Sequence, residues 1–304
     1  MAKVGRYRYV QPEALARLGK IKLIARAVVE GFITGLHRSP YRGFSSEFSD
    51  HREYVPGDNP RDLDWLALAR TDRYYIKRYE DETNVRCHVL LDVSASMGYR
   101  YDERKLTKLE YACFLAASLA FLMVRQQDPV GLVAFDERIR EFLPARTTTV
   151  HLNRLLQKLE ATAPGGKTSL SDTFHDLAER IRKRGLIVII SDLLGEDVLE
   201  RDVMRGLSHF RHKKHEVLLF HVLDSAELDF PFGRLSEFVD METGEKLQAD
   251  PVYVRDEYRR QVQAFVERYR RECAAQNIDY VLANTSTPYD LLLRAFLDKR
   301  KRTR

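Results

Sequence analysis

Cysteine is scarce in this chain. There are three in 304 residues, Cys87, Cys113 and Cys273, with no C-x-x-C spacing. An odd, dispersed set excludes a disulfide framework and a cysteine-based zinc site, and it fits a reducing compartment. Long apolar runs are also missing. The longest candidate, Ala112 to Val124, contains Ser118 and falls short of the roughly 20 residues a spanning helix needs. The N-terminus has no signal-peptide apolar core. No histidine pair has the i, i+4 spacing of a helical zinc motif, and no glycine-flanked serine marks a nucleophile elbow. The histidines, His51, His88, His175 and His221 among them, are scattered and read as structural. There is no internal repeat and no low-complexity segment. These absences lead to the expectation of a cytoplasmic protein.

What is present is ordinary globular material, 44% hydrophobic and 31% charged, in a chain long enough to bury a substantial core. The formal charge of +5 is unevenly spread. Residues 1–44 hold nine Lys or Arg against two Glu, and Lys299 to Arg304 adds five basic residues, so the body between is acidic. Basic ends suit nucleic acid or anionic lipid, but solvated tails look the same. Without a reading motif or an aromatic platform, nucleic-acid binding has only charge behind it. Peripheral membrane contact through the same ends has no apolar anchor to support it.

From residue 86 apolar strands alternate with longer helical stretches, the pattern of an α/β fold with a doubly wound, mostly parallel sheet flanked by helices. Strands are expected at Cys87–Asp92, Val130–Phe135, Leu186–Ser191, Glu216–Leu223 and Asp279–Leu282, with an antiparallel edge at Ile139–Leu143. Leu186-Ile187-Val188-Ile189-Ile190 reads as a central strand covered on both faces. Lys105–Gln126 is apolar almost all round and reads as a buried helix, whereas Val254–Gln276 carries one apolar stripe. Further helices are expected at Val150–Glu160, Thr173–Lys183 and Asp197–Phe210, and one opening at Thr287-Pro288. Ser236–Gln248, centred on Glu242-Thr243-Gly244-Glu245, reads as a hairpin insertion. The first 85 residues form a separate region. It has a helix from Pro12 to about Leu36, then a polar stretch punctuated by turns at Ser39–Gly43 and Val55–Pro60.

The chemistry concentrates at strand ends. Asp92, Ser94 and Ser96 form an Asp-x-Ser-x-Ser triplet directly after the first strand of the α/β region. One carboxylate and two hydroxyls on a tight loop suit a hard cation such as Mg²⁺, with Mn²⁺ as a substitute. The loop Ala163-Pro164-Gly165-Gly166-Lys167-Thr168 can bring the Thr168 hydroxyl to the same edge. A third loop supplies Ser191-Asp192. In a doubly wound sheet, ligands sit at this carboxyl edge where strand order reverses. The competing reading of an isolated triplet is a capping turn; three loops in this order favour convergent oxygen ligands.

These positions resemble the von Willebrand factor A fold and its metal-ion-dependent adhesion site. The resemblance implies that the serines, and sometimes the threonine, ligate directly while the aspartates act through water. It also implies an open position for a partner's carboxylate. The segments Arg42–Phe48, His51–Asp58, Arg61–Trp65 and Ala69–Asp72 resemble the bacterial family called domain of unknown function 58, from about Gly43 to Asp192. That resemblance implies an adaptor or assembly factor acting with a MoxR-type AAA ATPase or its client. Many members carry membrane helices, for which this sequence has no matching run. The mixed charges of Arg52 to Arg73 form either a docking surface or internal pairs.

Two enzymatic rivals exist. A P-loop reading of Gly165-Gly166-Lys167-Thr168 fails because Ala161 stands where a Walker glycine is required. A Mg²⁺-dependent phosphatase with Asp92 as nucleophile, balanced by Lys167 and Asp192, lacks a second carboxylate two residues on, where Ser94 stands. The expectation is therefore a non-enzymatic, Mg²⁺-dependent protein-binding domain over residues 86–304, with ligands Asp92, Ser94, Ser96, Thr168 and Asp192. Its shell would be closed by an acidic residue from a partner or from the chain itself, for example in Asp58–Asp72.

Overall fold

The structure, a computed structural model, describes residues 46–55, 63–81, 85–168, 170–195 and 200–293, with five positions between 21 and 29. The chain divides into two compact units, Ser39–Val85 and the combination of Met1–Arg38 with Arg86–Arg304. The N-terminal 38 residues thus group with the α/β unit. Its described helical positions Ile21, Ala25 and Val29, spaced four apart, are buried, and the Lys22 ammonium donates to Asn153 at 2.8 Å. The rest of the expected Pro12–Leu36 helix lies outside the described residues.

The smaller unit is more regular than a polar stretch of turns. Strands β1 (Ser46–Glu53) and β2 (Tyr75–Asp81) pair antiparallel, with a register shift between Phe48 and Asp50, around the short helix α1 (Trp65–Thr71). Asp64 starts α1 as its side chain accepts from the Ala67 amide at 3.1 Å. The predicted turns at 39–43 and at Pro56–Pro60 lie outside the described residues.

The larger unit is built on six strands in the order β10-β7-β6-β3-β4-β5. These are β3 (Cys87–Asp92), β4 (Val130–Phe135), β5 (Ile139–Arg146), β6 (Leu186–Ser191), β7 (Glu216–Leu223) and β10 (Asp279–Asn284). All pairs are parallel except β4 with β5. Every residue of β3, β4 and β6 is buried, as their continuous apolar runs require of strands covered on both faces. The order reverses at β3: the chain proceeds to β4 and β5 on one side, then returns to β6 on the other.

Helix starts follow from caps that apolar patterning does not reveal. Helix α2 (Lys108–Arg125) begins later than expected because Thr107 and Glu110 form a reciprocal capping box. Helix α3 (Thr149–Glu160) is capped by Thr148. Helix α4 (Leu170–Arg180) begins three residues earlier than expected, its buried positions Leu170, Phe174, Leu177 and Ala178 following helical spacing. Helix α5 (Glu200–His212) and the short α6 (Ser225–Asp229) follow β6 and β7. The last long helix, α7 (Pro251–Ala275), begins earlier than expected because Asp250 caps it and Pro251 opens it. Between α6 and α7, β8 (Ser236–Val239) and β9 (Lys246–Ala249) form the expected hairpin.

One core cluster joins Leu90, Val133, Ile187, Ile189 and Leu219 of the sheet to Phe174 of α4, Leu207 and Phe210 of α5, and Tyr269 of α7. Helix α2 packs on β3, β4 and β7. The α4–α5 contact depends on Gly206. A Cβ there would come within 2.7 Å of the Phe174 Cβ. Gly206→Ala should therefore lower stability by about 1–3 kcal/mol through overpacking, although alanine is the better helix former. A lower thermal midpoint in a denaturation scan checks this.

Candidate metal centre

The carboxyl ends of β3 and β6 meet at the reversal point. There Asp92 is fully buried and held from two sides. Its Oδ1 accepts from the Ser94 amide at 2.9 Å, and its Oδ2 accepts from the Ser191 hydroxyl at 2.5 Å. The first contact folds the triplet loop back on itself; the second ties it to the next strand. Ser96 then opens a one-turn 3₁₀ helix, Ser96–Gly98, which places the Ser94 and Ser96 hydroxyls 3.0 Å apart.

The loop before α4 is fastened to the triplet loop by main-chain bonds. The Gly165 amide donates to the Val93 carbonyl at 2.8 Å and the Ala95 amide donates to the Gly166 carbonyl at 3.0 Å. Gly166 has φ +80°, and a Cβ there would come within 2.4 Å of Asp136 Oδ2. Only glycine fits that close approach. Thr168 is buried, and it meets a carboxylate that sequence reasoning did not assign to the site. Its hydroxyl donates to Glu242 Oε1 at 2.5 Å and its amide to Glu242 Oε2 at 3.2 Å. Lys167, the charge-balancing group of the phosphatase reading, is exposed.

Asp192, also fully buried, faces a cation that was not foreseen. Lys108, from the first turn of α2, lies 2.7 Å from Asp192 Oδ2 and 2.7 Å from Glu227 Oε1. Burial alone would pull the ammonium's pKa down, but the two carboxylates outweigh it and hold the group charged, above the usual lysine range. Asp192 Oδ1 accepts from the Leu194 amide. Its carbonyl is 3.0 Å from His221 Nε2, and His221 Nδ1 is 2.7 Å from the Tyr280 hydroxyl. A carbonyl only accepts, so Nε2 carries the proton and Tyr280 donates to Nδ1. Burial lowers the His221 pKa to about 4, which keeps this tautomer neutral. His221 is thus a buttress for the Asp192 loop.

Lys108, Glu227 and Ser191 belong with the expected residues. The sequence signals were a lysine inside an otherwise apolar helix and a serine adjoining Asp192. The structure brings Asp92, Ser94, Ser96 and Asp192 to one edge of the sheet with Thr168 on the adjoining loop. Buried acids exceed the single buried ammonium, so the site favours added positive charge. Desolvation, then the Asp192 charge, push the Asp92 carboxyl up to about 7, against the bonds from Ser191 and Ser94. Among the described residues no three His, Cys, Asp or Glu converge as a metal cage, so any cation held here needs hydroxyl oxygens. Ser94, Ser96 and Thr168 are the hydroxyls present here. The Ser94 and Ser96 hydroxyls are hydrogen-bonded to each other at 3.0 Å, a separation that two adjacent oxygens each about 2.1 Å from an octahedral Mg²⁺ would also have.

Fold and site together define an open-sheet α/β domain with buried oxygen donors at its strand-order reversal. Residues 50–268 match the family model "Protein of unknown function DUF58", and the chain belongs to that family. A relative, the "Uncharacterized protein Rv1480" of Mycobacterium tuberculosis, is 29% identical over 273 residues, covering 87% of this chain and 83% of its own. Among solved structures, the conserved hypothetical protein BatB from Bacteroides thetaiotaomicron is similar with a TM-score of 0.47 at 16% identity, over 72% of this chain and 99% of that one. The vWF domain of the type V pili tip protein Mfa5 from Porphyromonas gingivalis is similar with a TM-score of 0.36 at 13% identity, over 73% and 95%. Among the described residues no helix is long and apolar enough to cross a membrane.

Two outcomes follow from the buried charges. Lys108→Ala should destabilise the protein by about 3–5 kcal/mol, because it leaves Asp192 and Glu227 without their cation; chemical denaturation measures this. The raised Asp92 pKa means the folded state holds a proton that the unfolded chain releases. Its contribution is fully present below the ordinary carboxylate pKa and is lost as pH rises through about 7. In metal-free protein, Asp92→Asn should flatten the stability profile between about pH 4 and pH 7.

Proposed function

We propose that this protein is a non-enzymatic, Mg²⁺-dependent protein-binding adaptor. In this reading Ser94, Ser96 and Thr168 hold the cation directly, while Asp92 and Asp192 act through water. Bound there, Mg²⁺ supplies an electrophilic position that takes an acidic side chain from a partner. The leading partner is a MoxR-type AAA ATPase or its client complex. The observation that carries the reading is the 3.0 Å Ser94–Ser96 hydroxyl pair, braced by a buried Asp92.

The fixed state of Asp92 also favours binding over turnover. A phosphate-accepting nucleophile needs a free, reachable oxygen. Here the carboxylate is fully buried and both oxygens accept hydrogen bonds from Ser94 and Ser191. The residue two positions on is Ser94, so no general acid stands beside it.

Calorimetric titration of chelator-stripped protein with Mg²⁺ and Mn²⁺ tests the reading. One saturable site is expected, weakened at least about tenfold in Ser94→Ala, which removes a direct ligand, and lost in Asp92→Ala. Retention of the ATPase on immobilised protein should then require the divalent ion. Unchanged isotherms in both variants would overturn the metal site, and chelator-resistant retention would overturn the adaptor mechanism.

A further inference from the structure

A carboxylate of the chain itself meets Thr168, one of the candidate ligands. Glu242 lies 74 residues beyond Thr168, at the tip of the β8–β9 hairpin, and clamps Thr168 by both its hydroxyl and its amide. A carboxylate that accepts two bonds from one candidate ligand residue is aimed, and the hairpin is built to aim it. Asp240 Oδ1 accepts from the Glu242 amide at 2.7 Å and the Thr243 amide at 2.8 Å, fixing the turn. The Asp240 amide donates to the Glu245 carbonyl and the Gly244 amide to the Asp240 carbonyl, each at 2.9 Å. At the root, Phe238 stacks on Phe230 at 5.5 Å and meets Phe232 edge-on at 5.1 Å. Phe230 lies 4.4 Å from the Tyr258 ring of α7. The hairpin is therefore anchored to the domain on one side and to Thr168 on the other.

We infer that Glu242 is an internal ligand of the pocket, occupying the position that an external carboxylate takes, so that a partner's acidic side chain gains entry by displacing the hairpin tip. This rests on the metal-binding reading given above, and it makes the site self-closed until a competitor arrives. The matching competitor is a Glu or Asp side chain on an extended segment, because the tip presents one carboxylate from a two-stranded ribbon. A purely structural pin between Thr168 and the hairpin would leave the cation's water shell unchanged when Glu242 is removed.

Mn²⁺ separates these cases through water-proton relaxation and hydrogen exchange. With Ser94, Ser96, Thr168 and Glu242 in the shell, about two of six octahedral positions remain for water; Glu242→Ala makes about three. The expected result is a roughly 1.5-fold rise in relaxation enhancement of bound Mn²⁺ in Glu242→Ala and an intermediate value in Glu242→Gln. Added glutarate should reverse the rise in Glu242→Ala and leave the wild type unchanged. Mn²⁺ should also slow amide exchange across residues 240–245 in the wild type only. Equal relaxation enhancement in wild type and Glu242→Ala, with Mn²⁺ binding still lost in Asp92→Ala, would overturn the internal ligand and leave the metal site standing. Absence of Mn²⁺ binding in every protein, or binding that survives in Asp92→Ala, would overturn both.

Discussion

The Lys108 ammonium, sealed between Asp192 and Glu227, is the interaction on which the surroundings of the site depend. It joins the first turn of α2, the loop after β6 and the short α6 that follows β7. A buried cation of this kind is costly to desolvate and costlier still to leave unpaired. Its presence therefore fixes the loop and the short helix that carry these two carboxylates. One Asp192 oxygen is paired with that ammonium at 2.7 Å. The sheet edge is left with the buried Asp92 carboxyl and the two hydrogen-bonded hydroxyls of Ser94 and Ser96.

Rigidity comes from several bonds that converge on the same loops. Ser191 links β6 to Asp92, and Gly165 with Gly166 laces the α4 entry loop to Val93 and Ala95. His221 supports the Asp192 carbonyl from beneath. None of these groups needs to touch a ligand. Together they fix the loops that carry the hydrogen-bonded Ser94 and Ser96 hydroxyls. Such preorganisation matters most for a weakly charged donor set, where little binding energy is available to order the loops.

Much of the fold was legible because buried parallel strands are continuous in sequence. Leu186–Ser191 could be read without knowing its neighbours. The triplet was legible for the same reason, since Asp92, Ser94 and Ser96 are near one another in the chain. Lys108 and Glu242 were not, because they act across 84 and 74 residues, and the hairpin motif that contains Glu242 does not reveal what its side chain meets. Helix starts shifted wherever a cap decided them, at Thr107 and Asp250, because apolar periodicity carries no information about the first orphan amides. The β1–β2 pair escaped detection since Ser-Glu-Phe-Ser-Asp-His-Arg-Glu has no apolar run and weak alternation; backbone pairing with a register shift makes it a strand.

The antiparallel strand β5 at the outer end of the six-stranded sheet has a consequence for how copies of this domain meet. It carries Arg140, Glu141, Pro144 and Arg146 within eight residues. Charges and a proline on an outer strand discourage the addition of another strand. On this side the sheet is therefore a poor template for filament growth.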